Sequence, residues 1–130
     1  MKSLLLISAL TIFASTAMAD STKLVTQVKN DEAEVLLADT FGRTLYVFDQ
    51  DLGSSTSKCT ADCAEVWPPY IVSAEEAAAL PAGLGTVVRA NKKLQLTYEG
   101  RPLYTFASDR AVGDDKGNDL GSVWHYIEIK

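Results

Sequence analysis

Apolar and polar residues alternate in short runs along most of this chain, and the runs are punctuated by glycine. That pattern predicts strands rather than long helices. "EVLLADTFGRTLYVF" (34–48) and "KLQLTYEGRPLYTF" (93–106) each read as two strands around a tight turn. Glycine supplies the positive φ of a two-residue hairpin turn, which places the turns at Phe41-Gly42 and Glu99-Gly100. In the second hairpin Thr97 then faces Pro102 and Tyr98 faces Arg101. The same register puts Leu36, Ala38, Leu45 and Val47 on one face, with Leu94, Leu96 and Leu103 of the second hairpin. Tyr46, Phe48, Tyr104 and Phe106 fall on the other face. A strand apolar on both sides is normally covered twice. "TKLVTQVK" (22–29) alternates weakly and predicts an edge strand, and "GTVVRAN" (85–91) predicts a strand leading into the second hairpin. Two short helical pieces complete the pattern. One lies over 60–67, with Thr60 as N-cap. The other lies over 73–80, where Ser73 and Glu76 have capping-box spacing and Pro81 acts as a stop.

The two hairpins are copies of one unit. "GRTLYVFDQD" (42–51) and "GRPLYTFASD" (100–109) share G-R-x-L-Y-x-F-x-x-D, and downstream "VWPPYIV" (66–72) aligns with "VWHYIEI" (123–129). The expected fold is mostly β. Two pseudo-symmetric strand–turn–strand–loop–strand repeats, about 33–73 and 91–130, form a small antiparallel β domain with one or two short helices. Neither half can bury its apolar faces alone, and two halves can cover each other.

The first residues change the picture of where the chain works. Lys2, the apolar run Leu4 to Phe13 and the A-x-A site Ala17-Met18-Ala19 make residues 1–19 a signal peptide, with 20–130 as the mature domain. After its removal no second apolar stretch approaches the length of a membrane span. The 12 basic and 17 acidic residues give a net charge of −5, which becomes −6 without Lys2. No basic run exists, so nucleic acid is not an expected partner. Export makes a disulfide the default state of Cys59 and Cys63. Its closed loop is small enough that the chain-entropy model assigns it only about 2 kcal/mol.

The Y-x-F-x-x-D segments Tyr46–Asp51 and Tyr104–Asp109 occur with Cys59, Cys63, "WPP" (67–69), "GDDKG" (113–117) and "WH" (124–125). Together these resemble a bacterial family of secreted tandem-repeat proteins, often described as predicted lipoproteins with a Yx(FWY)xxD motif. The resemblance covers roughly 33–130 and implies an exported domain built of repeats. The chain departs from lipoprotein members in having no lipobox cysteine, which favours a soluble periplasmic or secreted protein.

The repeated Tyr, Phe and Asp admit two readings. One is a pair of pockets with aromatic walls and a carboxylate from Asp51 or Asp109. The other is core packing, with each Asp bonding loop backbone and a buried Tyr hydroxyl finding a nearby Asp. Fourteen or fifteen residues separate each motif Asp from its Trp, and loops that long are functional or tied down. The first is tied by Cys59 and Cys63. The second is acidic, and a Ca²⁺ ion held by Asp109, Asp114, Asp115 or Asp119 would be the counterpart, though the spacing is not that of an EF-hand. His125 is the single histidine. With reduced Cys59 and Cys63 it would supply a thiolate–imidazole set suited to Cu(I).

No G-x-S-x-G, H-E-x-x-H, phosphate-cradling loop or dinucleotide fingerprint is present, so the expected role is not enzymatic. The reading is a binding or accessory module of the cell envelope without a cofactor, acting on an envelope protein or a small ligand. The expected ligand site is the seam between repeats, lined by Tyr46, Phe48, Trp67, Tyr104, Phe106 and Trp124 and oriented by Asp51 and Asp109. The alternative is a periplasmic copper protein using Cys59, Cys63 and His125.

Overall fold

The computed structural model describes residues 23–130, so the expected leader at 1–19 lies outside the described residues. The chain is mostly antiparallel β with two short helices, in two repeats. Repeat 1 opens with β1 (Val25–Lys29) and β2 (Val35–Asp39), followed by β3 (Tyr46–Phe48), α1 (Asp62–Val66) and β4 (Ile71–Val72). After α2 (Ala74–Ala77), repeat 2 runs through β5 (Leu84–Val88), β6 (Leu94–Tyr98), β7 (Arg101–Pro102) and β8 (Trp124–Tyr126). The edge strand and the lead-in strand expected from the alternation are β1 and β5. They pair with β2 and β6 in matching hairpins.

The last strand of each repeat leaves its own unit. β8 pairs with β3, Leu37 donates to the Ile127 carbonyl at 2.9 Å, and Ile129 donates to Val35 at 2.7 Å. Reciprocally, β4 pairs with β6, Leu96 donates to Tyr70 at 2.8 Å, and Tyr70 donates to Leu103 at 2.9 Å. The two L-Y-x-F strands meet back to back. Tyr46 N–H donates to the Tyr104 carbonyl at 2.8 Å, and Tyr104 N–H returns the bond to Tyr46 at 3.0 Å. This mutual pair is the pseudo-twofold centre of the molecule.

Two apolar cores flank that centre. Leu24, Leu37, Leu45, Val47, Val72, Leu96 and Leu103 fill one. Tyr46, Phe48, Cys59, Trp67, Tyr104, Phe106 and Trp124 fill the other. The L-Y-x-F strands are thus covered on both faces, as their two-sided apolar pattern requires.

The second turn follows the sequence expectation: Thr97 faces Pro102, Tyr98 faces Arg101, and Glu99 and Gly100 both have positive φ. The first turn does not. Asp39 donates to Arg43, Gly42 donates to Asp39, and Ala38 faces Thr44, so three residues bridge the strands with Gly42 at φ +83°. This is a turn closed by a glycine bulge. The slip of one residue moves β2 to its other face. Leu37, not Leu36 and Ala38, therefore packs with Leu45 and Val47. Asp39 stabilises the longer turn, its Oδ1 accepting from Phe41 N–H and Arg43 N–H, each at 2.9 Å.

The helices are shorter than the pattern suggested. The capping box at Ser73 and Glu76 is present, with Glu76 N–H to Ser73 Oγ at 3.0 Å and Ser73 N–H to Glu76 Oε1 at 2.9 Å. Thr60 is not the N-cap of α1. Ala61 is, at φ +52° and with no side-chain cap, while the Thr60 carbonyl accepts from Cys63 N–H at 3.1 Å within the disulfide loop.

One glycine marks the tightest contact between loop and core. A Cβ on Gly117 would lie 2.5 Å from Trp67 Cη2 and 3.0 Å from Phe106 Cγ, and neither ring can move aside. Gly117→Ala should cost about 1–3 kcal/mol of stability by overpacking. Gly53→Ala has open space around it and only the strain of φ +73°, so it should cost about 1 kcal/mol. Urea unfolding of the two variants checks the order.

Candidate functional site

The motif residues converge, and they do so crosswise. Tyr46 of repeat 1 donates its hydroxyl to Asp109 Oδ2 of repeat 2 at 2.6 Å. Tyr104 of repeat 2 donates to Asp51 Oδ2 of repeat 1 at 2.7 Å. The second oxygen of each carboxylate organises its own long loop: Asp51 Oδ1 accepts from Lys58 N–H at 2.7 Å, and Asp109 Oδ1 accepts from Lys116 N–H at 3.0 Å. Each aspartate sits seven residues before its loop donor in both repeats. The repeated Y-x-F-x-x-D is therefore one reciprocal lock, in which each repeat supplies the tyrosine for the other's loop-closing carboxylate.

Both tyrosines are fully buried. Burial pushes the Tyr104 hydroxyl up to about 12, with Asp51 adding to the shift. Burial and then Asp109 raise Tyr46 far above the ordinary tyrosine range. Burial also raises the Asp109 carboxyl, against the pull of its bonds from Tyr46 and Lys116.

The aromatic side chains of the expected seam form one continuous stack. Phe48 lies on Trp124 at 4.2 Å, Trp124 on Trp67 at 3.9 Å and 4°, and Trp67 on Phe106 at 4.4 Å. Tyr46 stands edge-on to Trp67 at 5.2 Å, and Tyr104 edge-on to Trp124 at 5.1 Å. Such pairs contribute about 0.5–1.5 kcal/mol each beyond burial. Tyr46, Phe48, Asp51, Trp67, Tyr104, Phe106, Asp109 and Trp124 are thus brought together, and all eight are buried. Their rings occupy one another's space.

The other expected residues fall elsewhere. Cys59 and Cys63 are joined in a disulfide, so neither sulfur is a thiolate. His125 is clasped between two carboxylates, Nδ1 to Asp119 Oδ1 and Nε2 to Asp49 Oδ2, both at 2.9 Å. The acidic loop does not converge either. Asp109 is taken by Tyr46, Asp114 accepts from Arg110 N–H and Ala111 N–H at 2.9 Å each, Asp115 accepts from Asn30 at 3.1 Å, and Asp119 faces His125. The two backbone donors hold the Asp114 carboxyl below the usual range. Among the described residues no three His, Cys, Asp or Glu side chains are grouped to hold a metal ion, and the copper set and the calcium clip are both without a cluster.

Three further features carry weight. Gln95 is fully buried, its Nε2 donating to the Leu103 carbonyl at 2.8 Å and its Oε1 accepting from Ser57 and Arg89. Arg89 also donates to the Cys59 carbonyl at 2.8 Å, so repeat 2 grips the disulfide loop directly. The third feature is a surface hollow of about 240 Å³ on repeat 1, lined by Asp39, Phe41, Arg43, Pro68, Pro69 and Ile71 among others. Phe41 is 77% exposed there, with the Arg43 guanidinium 5.3 Å above its ring. Its only sequence signal is the one extra residue of the first hairpin against the second.

The described chain contains no helix long and apolar enough to cross a membrane. A family model described as a secreted repeat of unknown function matches residues 30–70 and 85–128, the two repeats. No curated protein and no solved structure matches the chain.

Removing one hydroxyl tests the lock. Tyr46→Phe leaves Oδ2 of the buried Asp109 carboxylate without its donor, with only the Lys116 N–H still bonded to Oδ1, and should cost about 1–3 kcal/mol. Tyr104→Phe should behave alike, and chemical unfolding of both variants measures it. The carboxylate clasp also makes a pH signature. Asp49 first, then Asp119, raise the His125 pKa against partial burial. A raised histidine adds stability that is complete below its unfolded value, about 6.5, and disappears as pH rises through the folded one. NMR titration should place His125 above that reference, and Asp49→Asn should bring it down.

Proposed function

We propose that this chain, which belongs to that family of secreted repeats of unknown function, is an exported, non-catalytic binding or accessory module of the bacterial cell envelope. The observation that carries the reading is the closure of the repeated motif on itself. The shared Tyr, Phe, Asp and Trp, four residues from each repeat, are spent on locking the halves together. Recognition then falls to what differs between the repeats.

The largest difference lies on one face of repeat 1. Pro68, Pro69 and Ile71 occupy the positions held by His125, Tyr126 and Glu128 in repeat 2, and the longer turn adds exposed Phe41. Ile71 is 40% exposed and Val112 68%, and a Cβ on Gly42 would touch Val112, which places that side chain against the Phe41 turn. Arg43 and Arg110 line a second depression with Phe41. Arg43 Nε is paired with Asp39 Oδ2 at 2.9 Å, so Arg110 supplies the spare positive charge beside this apolar patch, which favours an occupant carrying a carboxylate. The occupant we favour is an extended, carboxylate-bearing segment of another envelope protein, with an apolar side chain against Phe41 and Ile71. Localisation in the periplasm, after cleavage at 1–19, is part of the same reading.

The probe is a pair of short peptides with one apolar residue flanked by Asp and Glu or by Lys. NMR titration of the mature protein should show the acidic peptide shifting Phe41, Arg43, Ile71 and Thr105. Arg110→Glu should weaken it about fivefold or more, the scale of one rim charge pair. Equal binding of the Lys peptide, or shifts confined to the Trp67–Trp124 seam, would contradict this surface.

A further inference from the structure

Core packing explains why the seam is aromatic. It does not require two indoles stacked face to face, each with a buried tyrosine at its edge whose hydroxyl proton already points at a carboxylate. Indole and phenol are the two side chains that most readily lose an electron. Phenol does so at neutral pH only when its proton has somewhere to go. Here the acceptor is in place at both ends, 2.6 Å from Tyr46 and 2.7 Å from Tyr104. Hydrogen-bond contact is the geometry proton transfer needs.

We propose that the seam is a one-electron relay, in which the Trp67–Trp124 pair passes an oxidising equivalent to Tyr46 or Tyr104 and the released proton is kept on Asp109 or Asp51. This goes beyond a binding role and stands independently of the repeat 1 surface.

The steps balance. An outer-sphere one-electron oxidant takes an electron from the indole pair, leaving a radical cation shared over two rings 3.9 Å apart. Tyr46, edge-on at 5.2 Å from Trp67, returns an electron to the indole while its hydroxyl proton moves to Asp109 Oδ2. The products are neutral indole, a neutral tyrosyl radical and a protonated carboxyl. The net loss is one electron, taken by the oxidant, and the proton stays in the protein. A one-electron reductant reverses every step. Burial favours the protonated form of Asp109, which suits it as the acceptor. Trp67 and Trp124 each keep 6% of their surface exposed and the two tyrosines none, so the tryptophans are the residues nearer to an outer-sphere oxidant. Electrons therefore leave through tryptophan and the radical comes to rest on tyrosine.

The test uses the intact mature protein and flash-generated ruthenium(III) tris-bipyridine as oxidant, read by transient absorption and by trapped-radical spectroscopy. Wild type should show an indole radical that decays as a tyrosyl radical grows, with the transfer slowed in D₂O. In Tyr46→Phe/Tyr104→Phe the indole radical should live at least about tenfold longer, a barrier rise of about 1.4 kcal/mol or more. Asp109→Asn keeps both tyrosines but removes one proton acceptor, and should cut the tyrosyl yield at Tyr46. The near-ultraviolet circular dichroism of the stacked indoles establishes that each variant is folded. Tyrosyl formation unchanged in the double variant would assign it to Tyr70, Tyr98 or Tyr126 and overturn the relay. So would an indole radical in wild type that decays without a tyrosyl product, or a transfer rate insensitive to D₂O.

Discussion

Everything in this molecule depends on the meeting of Tyr46 and Tyr104. Their backbones exchange two hydrogen bonds at the centre, and their hydroxyls reach outward to the carboxylates of opposite repeats. A buried hydroxyl or carboxylate without a partner costs about as much as a lost hydrogen bond, so the four groups hold or fail together. Each aspartate also holds the backbone of its own long loop. The tyrosine of one repeat is thereby coupled to the loop of the other. Strand exchange repeats the coupling in the sheets, because β8 completes repeat 1 and β4 completes repeat 2.

A symmetric lock leaves asymmetry free to carry recognition. The long loop of repeat 1 is tied by Cys59–Cys63 and gripped by Arg89, whereas its counterpart folds around Asp114 and lays Gly117 flat on Trp67. The extra turn residue of repeat 1 exposes Phe41, and proline stands where repeat 2 has His125 and Tyr126. Of these differences the Gly117 loop touches a tyrosine–aspartate pair, its N–H donating to the Tyr46 hydroxyl at 3.3 Å, and it leaves the Tyr46–Asp109 bond in place. The scaffold tolerates them because its cohesion lies in the shared motif.

Much of this was legible in the sequence, and the reasons are local. The Glu99-Gly100 turn, the Ser73 capping box and the two-sided burial of the L-Y-x-F strands follow from spacing within a few residues. So does a bridge between cysteines four apart. The first turn was misjudged because Phe41-Gly42 resembles a two-residue turn. The added residue that makes it a bulge shows only when the two hairpins are laid side by side, 15 residues against 14. That slip exchanged the faces of Leu36 and Leu37, so that Leu37 joins Leu45 and Val47. The crossed partners were beyond reach for a different reason. Tyr46 and Asp51 are five residues apart and Tyr46 and Asp109 sixty-three, and proximity along the chain favours the wrong pair. The stack of Trp67 on Trp124 is equally a product of strand exchange, which no pattern within one repeat encodes. The same exchange takes His125 to Asp49, away from any copper set with the cysteines.

Native-state hydrogen exchange on the intact protein tests the mutual dependence of the repeats most directly. Amides deep in each half and bonded across the interface, Leu37 and Tyr46 in repeat 1 and Leu96 and Tyr104 in repeat 2, should exchange through one common opening with the same free energy, that of global unfolding. If one pair exchanged through a separate opening more than about 1 kcal/mol below the other, one repeat would be opening while its partner stayed closed, and the crossed lock would not be what holds the fold.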